Sequence, residues 1–268
     1  MRFSVQTPPW QSHRLCAWIV VYCRHPAREA GKDRQHAKEK GTAMKNHRKP
    51  EELWLLADCK IETKQHFLEE GTLVSFHKDR LCLSAGDNNH SLYFILDGKA
   101  SIYNLTKTGG RKILFVLGPG NLANESVTQD YNSIFCETLE PCQFFKISRK
   151  LFLSLMEHDF ALARALLGYQ EQKIRRLEYQ LKNTVGNFYL ERKMASKLWK
   201  LARDFGIPTD QGILIDMELP VTFLADLLGS PRENTSRACR KFCSLGLILM
   251  DKKKIVIPNM ESLKLWKN

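Results

Sequence analysis

The sequence lacks the features that would assign it to a membrane protein, a disulfide-stabilised protein or a common class of enzyme. No apolar run approaches the length of about 20 residues that crosses a bilayer, so we expect no membrane partner. None of the eight cysteines lies in a CxxC pair, and their spacing predicts neither a zinc site nor a disulfide framework. The P-loop, HExxH and GxSxG motifs are absent as well, which argues against an enzyme.

Charge is distributed unevenly along the 268 residues, whose formal net charge is +12. Residues 61–147 carry 8 basic and 10 acidic side chains, whereas residues 148–268 carry 21 basic and 13 acidic ones. This asymmetry indicates that one half meets a polyanion such as nucleic acid. A solvated basic surface is the alternative. Residues 1–43 are basic and show little periodicity. We interpret them either as a disordered arm or as residues that precede the true start of translation.

Short apolar segments alternate with glycine turns in the first half of the chain. Those that read as strands are 73–79, 91–98, 100–106 and 112–120. Short strands with regular turns are typical of an antiparallel sandwich or roll, and Gly109-Gly110 predicts a hairpin. We therefore assign residues 44–148 to a β-roll, jelly-roll-like domain.

A helical pattern follows the roll. Residues 149–156 suit a short helix, and residues 159–184 contain no proline and a single glycine. Heptad spacing gives the longer helix a mostly apolar seam, made of Phe160, Ala163, Leu167, Gln170, Ile174, Leu177, Leu181 and Thr184.

The seam predicts that this helix pairs with its twin, although a helix packed on its own domain is the alternative. We expect dimerisation through Leu167, Ile174, Leu177 and Leu181, with Gln170 as a polar register point. A stop and hinge at residues 185–187 would close the dimerisation segment, 149–187.

The remaining residues, 188–268, have the pattern of a winged helix. A helix is expected over about 188–204, a strand over 213–219, and a short helix from Pro220 to Leu228. Gly229 makes the turn, and a further helix then runs over 231–245. Ser230 is its expected N-cap, with Pro231 at N1 and Glu233 completing a capping box. The segments 247–250 and 254–257 form the hairpin, or wing.

The helix over 231–245 should read DNA. Ala238, Phe242 and Leu245 are expected in the core, and the opposite face is polar. Arginine can donate to guanine O6 and N7, and glutamate can accept from cytosine N4, whereas lysine contacts to phosphate position the protein. The candidate DNA-binding residues are Arg232, Glu233, Ser236, Arg237, Arg240, Lys241, Lys252 and Lys253. A solvated helix with a Glu233–Arg237 ion pair is the alternative.

The segment from Leu224 to Ile257 resembles the winged helix of the Crp–Fnr family of regulators. Residues 232–237, RENTSR, satisfy the R-E-x-x-x-R pattern of its catabolite-activator branch and the E-x-x-S-R pattern of its fumarate–nitrate branch. The upstream glycine spacing is similar to that of the family's cyclic-nucleotide-binding-type β-roll. The resemblance covers about residues 61–260.

The resemblance implies an α+β bacterial, cytoplasmic homodimer in which a signal bound in the roll reorients the winged helices. Members of this family bind inverted repeats in double-stranded DNA and recruit, or sometimes block, RNA polymerase. The half-site would resemble TGTGA or TTGAT, and both stay open.

An unknown small-molecule effector is expected between the roll and the long helix, near residues 166–173. Its candidate pocket consists of Gly120, Asn124, Glu125, Asn132 and Ser133. Cyclic AMP is not expected, because Asn132 stands where the cyclic-AMP-binding members carry a phosphate-binding arginine. Losing such a charge partner costs on the order of 2–5 kcal/mol, and an uncharged or weakly acidic metabolite fits better.

No metal or other cofactor is assigned. Cys16 and Cys23 have no third partner nearby for an iron–sulfur cluster. Haem ligation stays open through His77, Cys82 or His90, although a lone histidine in a sandwich is more often structural. Two further cysteines, Cys136 and Cys142, flank a strand and could sense oxidants, with burial as the commoner role. The runner-up function is a cyclic-nucleotide-binding-type signalling or regulatory subunit without DNA binding.

Overall fold

The computed structural model describes residues 48–107, 109–182 and 190–267. The arm over 1–43, Thr184 of the apolar seam and the hinge at 185–187 therefore lie outside the described residues. Within them, no helix is both long and apolar enough to span a bilayer.

The roll follows a short helix, α1 (Ile61–Glu69). Its strands are β1 (Thr72–Phe76), β2 (Leu81–Leu83), β3 (Ser91–Asp97), β4 (Ala100–Leu105), β5 (Arg111–Leu117), β6 (Phe135–Thr138) and β7 (Cys142–Ser148). One sheet has the order β1-β7-β3 and the other the order β2-β6-β4-β5. All of these neighbouring strands pair antiparallel, so the antiparallel roll is confirmed.

Four of these strands, β1, β3, β4 and β5, coincide with segments that the alternation predicts. The hairpin at Gly109-Gly110 is also confirmed, because β4 and β5 pair across it. Between the two sheets lies a buried apolar layer that includes Ile95, Ile102, Cys136 and Phe144. This layer explains the period-2 pattern, since successive side chains of a strand point to opposite faces.

Two helices follow, α2 (Arg149–His158) and α3 (Phe160–Lys182). Both are predicted helices and both are confirmed. Leu162 and Leu166 of α3 are buried in a second apolar cluster with Phe94, Phe145 and Phe152. One side of the long helix therefore packs on the roll, where Trp54 also stacks on Tyr169 at 4.9 Å between ring centroids.

The winged domain starts with α4 (Leu190–Phe205), β8 (Gly206–Thr209) and β9 (Gly212–Ile215). It continues through α5 (Val221–Leu228), α6 (Arg232–Ser244), β10 (Leu249–Asp251), β11 (Lys254–Ile257) and α7 (Met260–Lys267). Its sheet has the order β10-β11-β9-β8. The predicted helix-turn-helix and wing are thus present.

Two details of this domain differ from the sequence prediction. The strand expected over 213–219 ends at Ile215, because Met217 donates its backbone N–H to Ile215 in a turn. The helix expected over about 188–204 is followed directly by a strand, Gly206–Thr209, that pairs with β9 and that the sequence did not predict. Pro208 is tolerated there because β8 lies at the edge of the sheet.

The roll and the winged domain share a packed boundary. Tyr103 and Ile113 of the β4–β5 hairpin belong to the same apolar cluster as Phe242 and Leu228. The Lys112 ammonium donates to the backbone carbonyl of Leu227 at 3.0 Å, and burial lowers its pKa. Lys99 reaches Asp216 at 3.3 Å as well as Glu140 at 3.0 Å.

Candidate nucleic-acid interface and effector pocket

The turn between α5 and α6 is built by Gly229. Its backbone is left-handed, with φ of 65°, and its N–H donates to the carbonyl of Ala225 at 2.8 Å. A side chain disfavours this conformation, which suits glycine at the end of a helix. The adjacent Ser230 donates its own N–H to the same carbonyl. The turn thereby fixes the angle at which α6 leaves α5.

The predicted capping box is wrong. Pro231 itself is the N-cap of α6, with no side-chain cap hydrogen bond, and Arg232 begins the helix. Ser230 therefore lies one residue before the N-cap, and Glu233 is the second residue of the helix. Thr235 donates its hydroxyl to the carbonyl of Pro231 at 3.1 Å. This bond stabilises the first turn of the helix on its buried side.

The buried face of α6 is formed by Thr235, Ala238, Cys239 and Phe242. Ala238 and Phe242 are predicted core residues and are confirmed. Leu245 is not a core residue, because it lies at the C-cap and is about half exposed. Thr235 and Cys239 take its place in the contact surface because they share the helical face of Ala238 and Phe242.

The opposite face of α6 presents charge to solvent. Its exposed members are Arg232, Glu233, Arg237, Arg240 and Lys241, and Ser236 is half-buried. Arg237 receives its orientation from Asn234, which accepts from the guanidinium at 3.1 Å. The remaining guanidinium N–H groups can donate to a planar acceptor pair such as guanine O6 and N7.

Two of the predicted phosphate-contacting lysines are paired with carboxylates. Lys253 in the wing lies 3.4 Å from Glu218, which also pairs with Lys78 of the roll at 2.9 Å. These contacts hold the pKa of Glu218 below its usual value, chiefly through the hydrogen bond from Lys78. Lys241 lies 3.1 Å from Glu191, and Lys252 is exposed at the tip of the wing with a φ of 52°.

Residues of the candidate effector pocket fall into two roles. Asn124 is fully buried, and its amide is used within the roll. Its Oδ1 accepts from the backbone of Tyr93 at 2.8 Å, and its Nδ2 donates to Asn89 and to the carbonyl of Ser91. Asn124 therefore ties the segment between β5 and β6 to the start of β3.

Glu125 and Ser133 are brought together, because the Glu125 carboxylate accepts from both the backbone and the hydroxyl of Ser133. Asn132 is buried, and its Oδ1 has no hydrogen-bond partner within the described residues. Gly120 instead faces the N-terminal segment, where its carbonyl accepts from Trp54 at 2.6 Å.

Lys173 on α3 is the basic group of this region. Its ammonium lies 3.5 Å from the carbonyl of Asn124 and 5.0 Å from the ring centre of Tyr169. Burial lowers the pKa of Lys173 to about 8, and the charge of Glu125 opposes that shift. The sequence placed residues 166–173 beside the pocket, but a lone lysine among several charges on a helix gave no sign that this one is half-buried, with its ammonium shielded from water.

The apolar seam of α3 faces away from the roll. Phe160, Leu167, Ile174, Leu177 and Leu181 are all exposed in the single chain, Leu181 to 67%, and Gln170 is half-buried. Within the described residues no cluster of histidine, cysteine, aspartate or glutamate is arranged to hold a metal.

Comparison with known proteins identifies two domain families. Residues 73–159 match the cyclic nucleotide-binding domain, and residues 192–266 match the Crp-like helix-turn-helix domain. The chain is 22% identical to the CRP-like cAMP-activated global transcriptional regulator of Mycobacterium tuberculosis, over 71% of this chain and 85% of that protein. It is 23% identical to the global nitrogen regulator of Synechococcus elongatus, over 70% of this chain and 86% of that protein.

Solved structures with the same fold include FixK2 from Bradyrhizobium japonicum. It superposes with a TM-score of 0.66 at 18% identity, over 74% of this chain and 98% of that one. A CooA mutant from Carboxydothermus hydrogenoformans gives a TM-score of 0.63 at 16% identity, over 76% and 90%. At these sequence identities, the similarity to the solved structures establishes the fold alone.

Proposed function

Because the chain belongs to the Crp–Fnr family of transcription regulators and is not an enzyme, we propose that it is a homodimer that recognises an inverted repeat in DNA. The observation that carries this proposal is the exposed face of α6, where Arg232, Glu233 and Arg237 follow a rigid glycine turn. A recognition helix contacts base edges through its N-terminal residues. Two such helices in a two-fold dimer would meet half-sites about one helical turn apart.

We assign the central base contact to Arg237, with Glu233 as an acceptor for cytosine N4. Lys252, Lys253, Arg240 and Lys241 would bind phosphates, which adds affinity without sequence preference. Lys241 and Lys253 would exchange their carboxylate partners for phosphate oxygens. We also propose that the protein works in the bacterial cytoplasm and acts on RNA polymerase, as regulators of this kind do.

The dimer would form along α3. Five large apolar side chains are exposed on one face of this helix, and Ile174 and Leu177 are the ones we expect at the centre of the contact. Burying them against a second copy of the same helix gains about 25 cal/mol for each Å² removed from water. A second copy is the occupant that this face fits, because the heptad spacing is the one that lets two helices interlock.

We further propose that the roll binds a small, weakly acidic molecule beside Lys173, and not cyclic AMP. The half-buried Lys173 ammonium is poorly solvated, so a ligand carboxylate would stabilise it. Asn132 has no positive charge with which to bind a cyclic phosphate. Isothermal titration with cyclic AMP should give no micromolar binding, and binding of that strength would contradict this part of the proposal.

The experiment that tests the DNA assignment is a binding titration on a palindrome selected from random DNA with the purified protein. Arg237→Ala should lose about 1–3 kcal/mol on the matched site and relax the preference at one base pair. Arg164→Ala is the matched control, because it removes an exposed arginine from α3, where it pairs with Asp58. If Arg237→Ala keeps full discrimination at every position, α6 is not the reading helix.

A further inference from the structure

Two cysteines of the roll face each other across the pair of strands β2 and β6. Leu81 is opposite Glu137 and Leu83 is opposite Cys136, so the register shifts by one residue at Cys82. Such a bulge sets two residues of one strand against a single residue of its partner. Here Cys82 and Leu83 share Cys136 as their neighbour. The Cys82 thiol donates to the carbonyl of Arg80 at 3.6 Å, and its side chain packs against the apolar cluster that contains Cys136.

The two thiols differ in their access to solvent. Cys136 is fully buried between the sheets, whereas Cys82 is only partly covered. Cys82 also lies on the edge strand of its sheet, and β2 has only three residues. A small oxidant can therefore reach Cys82 first, and β2 can move towards β6 without breaking pairing on a second side.

A third cysteine, Cys142, is nearby but is already committed. Its thiol donates to the carbonyl of Lys99 at 3.2 Å and to that of Glu140 at 3.3 Å. Cys142 also lies on β7, in the sheet opposite the one in which β2 and β6 place Cys82 beside Cys136. Cys136 is thus the thiol that is placed to react with an oxidised Cys82.

We propose that Cys82 and Cys136 are a peroxide-sensitive dithiol that closes to an intramolecular disulfide within the roll. The Cys82 thiolate attacks one oxygen of hydrogen peroxide, the O–O bond breaks, and hydroxide leaves, which takes up a proton to become water. The resulting sulfenic acid, Cys82–SOH, is then attacked by Cys136. The S–O bond breaks, the Cys136 proton and the hydroxyl leave as water, and the S–S bond forms. Two thiols lose two electrons, and one peroxide becomes two waters.

Strand geometry is compatible with this bond. Leu83 is directly opposite Cys136, and such opposed residues have Cα atoms about 4.5–5.5 Å apart. The bulge sets Cys82 against the same residue, so a small movement of the edge strand would bring the Cys82 and Cys136 Cα atoms within the range of about 4.4–6.8 Å that disulfides span. Lys173 is near enough for its charge to act on Cys136. The dithiol therefore lies beside the proposed effector pocket, although the proposal itself concerns only the roll and does not depend on DNA binding.

The test is a peptide map of the full-length reduced protein after brief treatment with dilute hydrogen peroxide and alkylation of the remaining thiols. Trypsin should release peptide 81–99 joined to peptide 113–146, with the loss of two hydrogens. A glutamate-specific protease then cuts after Glu137, which separates Cys136 from Cys142. The link should stay with the Cys136 fragment and disappear on addition of dithiothreitol.

Two variants separate the candidate partners. Cys142→Ala should form the link as fully as the parent chain. Cys136→Ala should lose it and leave a Cys82 sulfenic acid that dimedone labels. A link to Cys142, or recovery of Cys82 and Cys136 as alkylated thiols in the parent chain at peroxide levels that oxidise free cysteine, would overturn the proposal.

Discussion

The Asn124 amide is a structural group of the roll. All of its side-chain hydrogen bonds tie the segment between β5 and β6 to β3 and to the residues just before it, through Tyr93, Asn89 and Ser91. A polar residue in a predicted pocket gives the same sequence signal whether it binds a ligand or the backbone. Burial and partners distinguish the two, and neither is written in the local sequence.

Replacing this amide should destabilise the roll. Asn124→Ala leaves the Tyr93 N–H and the Asn89 Oδ1 without partners in a dry environment, at a cost of about 1–3 kcal/mol for such a group. We expect a total loss on the order of 3 kcal/mol, measured by urea unfolding at a fixed protomer concentration. Thr128→Ala is the control, because Thr128 is exposed and such a substitution should stay within about 0.5 kcal/mol. Equal midpoints for the two variants would refute the structural role.

Lys173 should make stability depend on pH. Its folded pKa is about 8, whereas an unfolded lysine titrates near 10.4. Between these values the unfolded chain binds more protons, so the contribution of this group to stability increases as the pH rises. Below about pH 8 both states are charged, and the folded state carries the full cost of burial.

Lys173→Met should therefore be more stable than the parent at pH 7, by on the order of 3 kcal/mol, because each pKa unit corresponds to about 1.36 kcal/mol. The advantage should shrink towards pH 10.4. Urea unfolding of both proteins at pH 7, 8.5 and 10 measures the difference, in which the other titrating groups cancel. A difference that stays constant over this range would show that the lysine is not buried in solution.

At the level of helices and strands, the periodicity of the sequence predicts the elements that are long and regular. The strands β1, β3, β4 and β5 and the helix α3 follow from alternation and heptad spacing. The strands β2 and β6 do not, since they have only three and four residues and their pairing comes from distant parts of the chain. The bulge at Cys82 has the same origin, so the contact with Cys136 could not be read from spacing.

The start of α6 shows how local signals compete. The residues Ser230, Pro231 and Glu233 fit a capping box, but Pro231 adopts an extended conformation with ψ of 145° and takes the N-cap position itself. The Gly229 turn sets this geometry, because both its own N–H and that of Ser230 are committed to Ala225. The helix and its exposed charged face were predictable, and the first residue of the helix was not.

The long helix α3 gives the prediction for assembly. Leu177→Glu places a charge at the centre of the exposed apolar seam, and burying it against a second helix would cost several kcal/mol. We expect the parent chain to be a dimer by light scattering at micromolar concentration and Leu177→Glu to be a monomer. Gln172→Glu is the matched control, since it adds the same charge at an exposed position off the seam. A monomeric parent, or a dimeric Leu177→Glu, contradicts the assignment.

At the scale of the whole molecule, the roll and the winged domain are joined by charge as well as by apolar packing. Glu218 sits between Lys78 of the roll and Lys253 of the wing. A wing lysine that binds phosphate must leave this carboxylate or share it. The connection places Lys253, one of the proposed phosphate-binding residues, under the influence of the roll through Glu218.

The salt dependence of DNA binding should reveal this arrangement. Each phosphate contact made by a lysine contributes about −0.9 to the slope of log affinity against log salt concentration. Lys253→Ala should weaken binding to matched and mismatched palindromes alike and lower the slope by about one. Glu218→Gln should instead raise the DNA-binding affinity, because it removes the carboxylate that competes with phosphate for Lys253. The increase should be equal for the matched and the mismatched palindrome. Titrations of the parent and both variants from 50 to 200 mM salt would measure these effects. If Lys253→Ala changes the preference between sequences instead of the slope, the wing reads bases, and the division between a reading helix and a phosphate-binding wing fails.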